Sequence, residues 1–397
     1  VLTQDFILNG QGHGAAAQML EGVRFDAGLL RPFIDENNRA CCLVSNGRGG
    51  REVVEVRELI ANGINSPVFN ATSLRKEEWI KLDEQVLRAA RYRLRAWADL
   101  AAANSFGGFN GMGTTILEHE TMSDPGEAIV DMDGLAAGRT DQPAFQLQGL
   151  PLPITHMDFT ISARKLAASR NLGMPLNSTM AEVAGRRVAE MIEKTTIGTN
   201  TGITYGGTNT AGSYGRTSQV YGYTNFTPRL TYASMRNPAT TGSYTASMTL
   251  ADVLALLDLA KANKFFGPFM LYHSNDWDKY LDNDYILTGG NVATQTLRNR
   301  LRAIDEITDV RRLDFMFSTA PTQNNNADKY NNLNPFTFVL VQMTPDVARA
   351  VNGMDITTVQ WESKGGMQLN FKVMAIQVPQ LRADHYGSCG IVHGTCA

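Results

Sequence analysis

The run PLNSTMAEVAGRRVAEMIEKTTIG, closing at Gly198, restricts the possible folds of this chain more than any other segment. Thr179 and Glu182 have the spacing of a capping box, and Gly198 stands where a helix end takes a residue at positive φ. The periodicity predicts a helix over 179–197. It puts Met180, Val183, Ala184, Val188, Met191 and Ile192 on one face, with Arg186, Glu190, Glu193 and Lys194 off it. About eighteen residues at 1.5 Å each make a rod of roughly 27 Å. Such a rod needs one broad apolar partner. Its charged outer side suits a subunit that meets neighbours.

The rest of the chain is large enough to supply that partner. It has 397 residues, 43% hydrophobic and 19% charged, which suggests two or three domains and a surface somewhat poor in charge. The net charge is −3, with no long run of Lys or Arg. That argues against tight binding of nucleic acid through phosphate neutralisation, though not against enclosing it. No stretch approaches eighteen uninterrupted apolar residues, so no membrane span is expected. The start at Val1 shows no Sec-type pattern and fits loss of an initiator Met or of a longer leader.

Residues 1–70 lack sustained periodicity and read as an extended arm with short pieces of structure. Lys76 to Leu100 reads as one amphipathic helix. Trp79, Ile80, Val86, Leu87, Leu94 and Trp97 form its apolar face, and Arg88, Arg91, Arg93 and Arg95 a basic side. GTTILEHETM and EAIVDMDGL, joined through Ser123-Asp124-Pro125-Gly126, read as a hairpin. FQLQGLPLPITHMDFTIS alternates like a strand, but Pro151 and Pro153 demote it to an edge or a detached arm. The Gly-, Thr- and Tyr-rich residues 199–245 fit packed irregular strands or an interface better than free coil. Further on, MTLADVLALLDLAKANK is a helix with Thr249 as N-cap, GPFMLYH a buried strand, and NDWDKYLD and ATQTLRNRLRAI shorter helices. Ile307 to Phe317 reads as extended and residues 336–343 as a core strand. Thr344-Pro345-Asp346 signals another helix, and Ile356–Ser363 with Met367–Val378 a long hairpin turning at Lys364-Gly365-Gly366.

Nothing along this order carries a catalytic signature. Walker, HExxH and GxSxG patterns do not occur, and GQGHG at 10–14 lacks the strand, helix and acidic partner of a dinucleotide site. Asp131 and Asp133 share a strand face, as surface carboxylates commonly do. The most site-like group is His385, Cys389, His393 and Cys396, four nitrogen or sulfur donors within twelve residues that could surround a zinc ion. Their H-x₃-C-x₃-H-x₂-C spacing is not that of a common finger. An ordinary tail, or disulfides toward Cys41 and Cys42, are the other readings, as are four reduced thiols.

The ordered set of segments resembles the major capsid proteins of tailed bacteriophages with the HK-97-type fold, close to its encapsulin-like branch. DFTISARKLAASRNLGMPLNSTMAEVAGRRVAEMIEKTTIG resembles the strand returning from an extended loop and the spine helix that follows. VYGYTNFTPR, GPFMLYHSNDWDKYL and TLRNRLRAIDEITDV resemble the entry to and body of the axial domain, and TPDVARAVNGMDITTVQWESKGGMQLNFKVMAIQVPQLR the closing peripheral strands. The resemblance implies an α+β chain. Residues 1–105 would be an N-terminal arm and amphipathic helix, and 106–160 an extended β-hairpin loop. Residues 161–245 and 346–397 would be a peripheral domain with spine helix 179–197, and 246–345 an axial domain. It implies no enzyme activity and no cofactor. It implies self-assembly through hexamers and pentamers into an icosahedral virion shell, built in the host cytoplasm with scaffold, portal and decoration proteins as partners. That shell would enclose double-stranded DNA without sequence-specific binding and without a membrane. Covalent Lys–Asn cross-links of some relatives have no local signature here. An encapsulin-type nanocompartment with an enzyme cargo shares the fold, and a metal-dependent enzyme using the C-terminal His/Cys cluster is the alternative from another class.

Overall fold

The computed structural model describes residues 33–35, 39–45, 51–55, 57–58, 76–122, 132, 145–171, 179–198, 204–205, 218–239, 241, 244–286, 292–316, 336–365, 367–384 and 386–396. Three antiparallel strands, β1 (Phe33–Ile34), β2 (Ala40–Ser45) and β3 (Arg51–Glu55), come first. Helices α1 (Lys76–Arg93) and α2 (Ala96–Ala103) follow, then β4 (Ser105–Phe106), β5 (Ile116–Met122), β6 (Phe145–Pro151) and β7 (Thr155–Ser162). Helix α3 (Ala163–Asn171) leads to the spine helix α4 (Thr179–Ile197). Next are β8 (Thr204–Tyr205), β9 (Ser218–Gln219), β10 (Arg229–Met235), α5 (Ala246–Ala262) and β11 (Phe269–His273). Then come α6 (Asp278–Leu281), β12 (Asp284–Ile286), β13 (Val292–Thr296), α7 (Leu297–Arg302) and β14 (Ile307–Arg312). The chain closes with β15 (Phe338–Gln342), β16 (Ala348–Ser363), β17 (Gln368–Leu381) and β18 (Cys389–Cys396).

Two sheets organise the body. The first has the order β4-β16-β17-β7, and the spine helix packs across β17 and β7. The rings of Phe159 and Phe371 stack there with centroids 5.0 Å apart, and Trp79 of α1 meets Phe371 edge-on at 6.0 Å. The second sheet has the order β10-β18-β15-β11-β14, and its three central strands are buried on both faces. Met270, Tyr272, Val339, Val341, Cys389 and Ile391 enter the core shared with the spine helix. Their neighbours in sequence, Phe269, Leu271, Phe338, Leu340 and Val392, fill a second core under α5 and α7. Alternation by two sends each strand's residues to both cores, so these strands read as continuous apolar runs.

Several local expectations give way to tertiary contacts. The helix expected over 76–100 breaks at Leu94 and Arg95, which turns Trp97 and Leu100 into the core. Ile80 and Leu87 lie on its outer side, and Met180 and Met191 face outward on the spine helix. Helix α5 starts at Ala246 after Thr245, so Thr249 is a buried first-turn residue against the Tyr244 hydroxyl rather than a cap. In ATQTLRNRLRAI the first part is strand, and the helix begins at Leu297 with the Thr296 hydroxyl accepting from Asn299 N at 3.4 Å. Thr344-Pro345-Asp346 makes one turn and no more. Val347 N and Ala348 N donate to Thr344 O at 3.1 and 3.0 Å, and then β16 takes over because Ala348, Ala350 and Val351 are needed in the sheet. Strand Ile116–Met122 pairs with Phe145–Pro151, and EAIVDMDGL, the expected partner, lies outside the described residues except for Met132. GQGHG, Asp131 and Asp133 also lie outside them.

Candidate assembly surface

Strands β5 and β6 form a sheet of their own, in register from Ile116 opposite Pro151 to Met122 opposite Phe145. Pro151 ends β6, and after Pro153 the chain joins the other sheet as β7. One end of the ribbon is anchored. Leu152 N donates to Thr115 O at 2.9 Å, and Leu150 and Leu152 are buried with Val220, Val351, Ile376 and Val378. Farther out, Glu118 and Glu120 are exposed and Leu147 is 37% exposed. Among the described residues no third strand pairs with either edge. A lone two-stranded ribbon is marginal in water, and its open edges invite another chain.

The break between α1 and α2 is held from the spine helix. Glu193 is buried, and its two carboxylate oxygens accept from Ala96 N at 2.7 Å and Trp97 N at 3.2 Å. It thus satisfies two of the free N–H groups at the start of α2. Burial pushes its carboxyl up to about 7, against the pull of those N–H donors. Beside it the Tyr223 ring stacks on Tyr272 at 6.0 Å, and the Tyr272 hydroxyl donates to Asp99 Oδ2 at 3.0 Å. Asp99 also pairs with Arg311, while burial raises its carboxyl. The sequence placed Glu193 away from the apolar face. Nothing local in it announced a carboxylate that caps a different helix.

A groove of about 560 Å³ runs along this corner, lined by Arg95, Asp99, Asp278, Asp282, Arg298 and Arg311 among others. Its charges are already matched. Arg298 meets Asp278 at 2.9 Å and Asp282 at 2.7 Å, Arg312 meets Asp278 at 2.9 Å, and Arg95 meets Asp314 at 3.5 Å. Buried His273 belongs to the same network. Its Nδ1–H donates to Ser274 O at 3.0 Å, and Nε2 accepts from Arg298 Nη1 at 2.9 Å. Burial above all lowers its pKa to about 4, so the ring is neutral at physiological pH. The groove is a seam between α2 and the five-stranded sheet, with its field cancelled internally.

The C-terminal donors are not gathered about one point. His385 lies outside the described residues. Cys389 points into the core shared with the spine helix and Cys396 into the core under α5, on opposite faces of β18. His393 Nδ1 accepts from Arg229 Nε at 3.3 Å, and burial with the Arg229 charge lowers its pKa to about 4. Cys41, Cys42, Cys389 and Cys396 are buried free thiols. Among the described residues no three His, Cys, Asp or Glu side chains are placed to hold a metal ion, and no helix is long and apolar enough to cross a membrane. The expected tail is instead a central strand of the second sheet. Its short IVH core gave too little periodicity to be seen as one.

A family model described as a family of unknown function, DUF6260, matches residues 70–320, more than half of the chain. The chain belongs to the DUF6260 family. No curated protein sequence matches this DUF6260 chain. Among solved structures it is similar to the capsid of Myoviridae Phage XM1, with TM-score 0.50 and 10% identity over 75% of this chain and 92% of that one. It is also similar to the virus-like particle from Pyrococcus furiosus, with TM-score 0.46 and 16% identity over 80% of this chain and 99% of that one. The capsid of the native GTA particle gives TM-score 0.48 and 12% identity, covering 77% and 92%. This DUF6260 chain has the α+β HK-97-type capsid fold.

Proposed function

We propose that this chain is the major capsid protein of a tailed bacteriophage, a structural and non-catalytic subunit that assembles into an icosahedral shell. The observation that carries this reading is the β5–β6 ribbon, held to the body at Leu150 and Leu152 and by Arg382 at Glu120 O, and joined by no third strand among the described residues, on a chain with a phage capsid fold. In this proposal residues 1–105 form the N-terminal arm and helix, 106–160 the extended loop, and 161–245 with 346–397 the peripheral domain. Residues 246–345 form the axial body, whose sheet also takes in strands β10 and β18. Hexamers and pentamers of the chain enclose double-stranded DNA without reading its sequence. The shell is built in the host cytoplasm with scaffold, portal and decoration proteins.

Exposed apolar residues along the arm supply the contact. Burying one leucine side chain contributes about 2 kcal/mol, and a closed shell repeats that gain in every copy. Leu147→Glu should leave the circular dichroism and melting of the subunit unchanged while lowering particle yield at least tenfold. Particles at wild-type yield would contradict the assigned role of the arm.

A further inference from the structure

Arg349 and Arg382 lie beside the middle of β5. Arg382 Nη2 donates to Glu120 O at 3.3 Å, Arg349 Nε donates to Pro345 O at 2.7 Å, and Arg382 N donates to Val347 O at 2.9 Å. Both side chains are therefore held in place through backbone carbonyls. Among the described residues neither guanidinium lies within ion-pair distance of a carboxylate. Every arginine of the seam along α2, by contrast, has an acidic partner. The His119 ring sits in the same cluster with both nitrogens buried, beside Gln148, its cross-strand neighbour on β6. Burial, Arg382 and Arg349 lower its pKa against the opposing pull of Gln148, and burial with Arg349 lowers that of Arg382 against the opposing charge of Asp346. Two fixed, repelling guanidiniums beside a neutral imidazole, with the Asp346 charge near Arg382 but not in ion-pair contact with it, leave a net positive site, a preorganised receptor for carboxylate oxygens.

The chain itself carries the complementary segment. Between Met122 and Arg139 stand Asp124, Glu127, Asp131 and Asp133, with no Lys or Arg among them. We propose that Arg349 and Arg382 receive carboxylates from the 124–133 segment of a neighbouring copy, so that each subunit's acidic loop is seated on the next subunit's arginine pair. This rests on the shell reading above and adds its polar lock. The contact is heterologous, donor on one copy and acceptor on the next, which is the arrangement that builds rings. It fixes register and orientation more than it adds affinity.

Charge reversal tests it. Arg349→Glu with Arg382→Glu should fold, by circular dichroism, and lose at least tenfold in particle yield. Arg349→Gln with Arg382→Gln keeps donors for the two carbonyls and should show a milder loss. Adding Glu127→Lys, Asp131→Lys and Asp133→Lys to the Glu variant should restore particles. With Arg382→Cys and Glu127→Cys in one chain, oxidation should give a ladder of covalent oligomers on a denaturing gel. Wild-type yield from both arginine variants, failure of the reversed loop to restore it, or a bond formed only within one chain would each overturn the proposal while leaving the shell reading intact. A wild-type chain that forms no particles would overturn both.

Discussion

Gly222→Ala should leave little or no folded protein. The segment after the spine helix closes that helix's C-terminus. Gly198 has φ 90° and donates its N–H to Lys194 O at 2.9 Å. Tyr223 N and Thr224 N then donate to Thr196 O and Ile197 O at 3.0 and 2.8 Å, and the Thr224 hydroxyl donates to Ile197 O at 2.8 Å. Those bonds satisfy helix carbonyls that would otherwise be buried unpaired. They also bring Gly222 against the backbone of the helix end. A Cβ at 222 would collide with Gly198 N and Thr195 O and lie 2.5 Å from Gly198 Cα. Backbone cannot rotate away as a side chain can, so relief means giving up the capping bonds, at about 1 kcal/mol each on top of the overpacking cost. A total of roughly 4 kcal/mol is much of the stability of an ordinary domain. Soluble yield and urea unfolding of the variant measure it. A midpoint equal to wild type would show that the helix end tolerates displacement.

Glu193→Gln should flatten the pH dependence of subunit stability between about pH 4.5 and 7. The folded carboxyl sits near 7 and the unfolded one near 4.5. Between those values the native chain holds a proton that the unfolded chain has released. Stability from this group is therefore complete below about 4.5 and is lost as pH rises to about 7, above which the dependence is flat. The span corresponds to on the order of 3 kcal/mol. Glutamine keeps an oxygen to accept from Ala96 N but has no charge to bury. Urea unfolding of the unassembled subunit at pH 5 and pH 7.5 should show a wild-type difference that the variant has largely lost. An equal difference in both proteins would contradict the assignment. Glu193→Ala should be worse at every pH, because Ala96 N and Trp97 N would be left buried and unpaired.

These two sites mark the boundary of what the sequence discloses. The spine helix was legible to the residue, Thr179–Ile197, because capping, periodicity and the closing glycine agree. Its orientation was less so. Met180 and Met191 were expected inside and face out, whereas Glu193 was expected outside and is buried, because the α1–α2 corner needs a carboxylate more than another methyl group. Strands at Ile116–Met122 and Phe145–Pro151 were legible from their alternation, but not that they pair with each other. Ser123-Asp124-Pro125-Gly126, the expected turn, lies outside the described residues, and Ile116–Met122 takes the distant Phe145–Pro151 as a partner. Thr344-Pro345-Asp346 offered a helix start and delivers a single turn, since the β-branched and aromatic residues that follow pay more as sheet. The C-terminal His and Cys residues drew notice as donors, yet strand alternation sends Cys389 and Cys396 to different cores. The arginine pair at 349 and 382 had no motif at all. It becomes visible only when the end of β17 is set beside β5.

The most direct test is sedimentation velocity of the purified wild-type chain, with electron microscopy of the fastest species. Closed particles of uniform diameter, carrying nearly all of the protein at concentrations well above the assembly threshold, are the expected result. A single slow species with the mass of one chain, unchanged by concentration or salt, would contradict it.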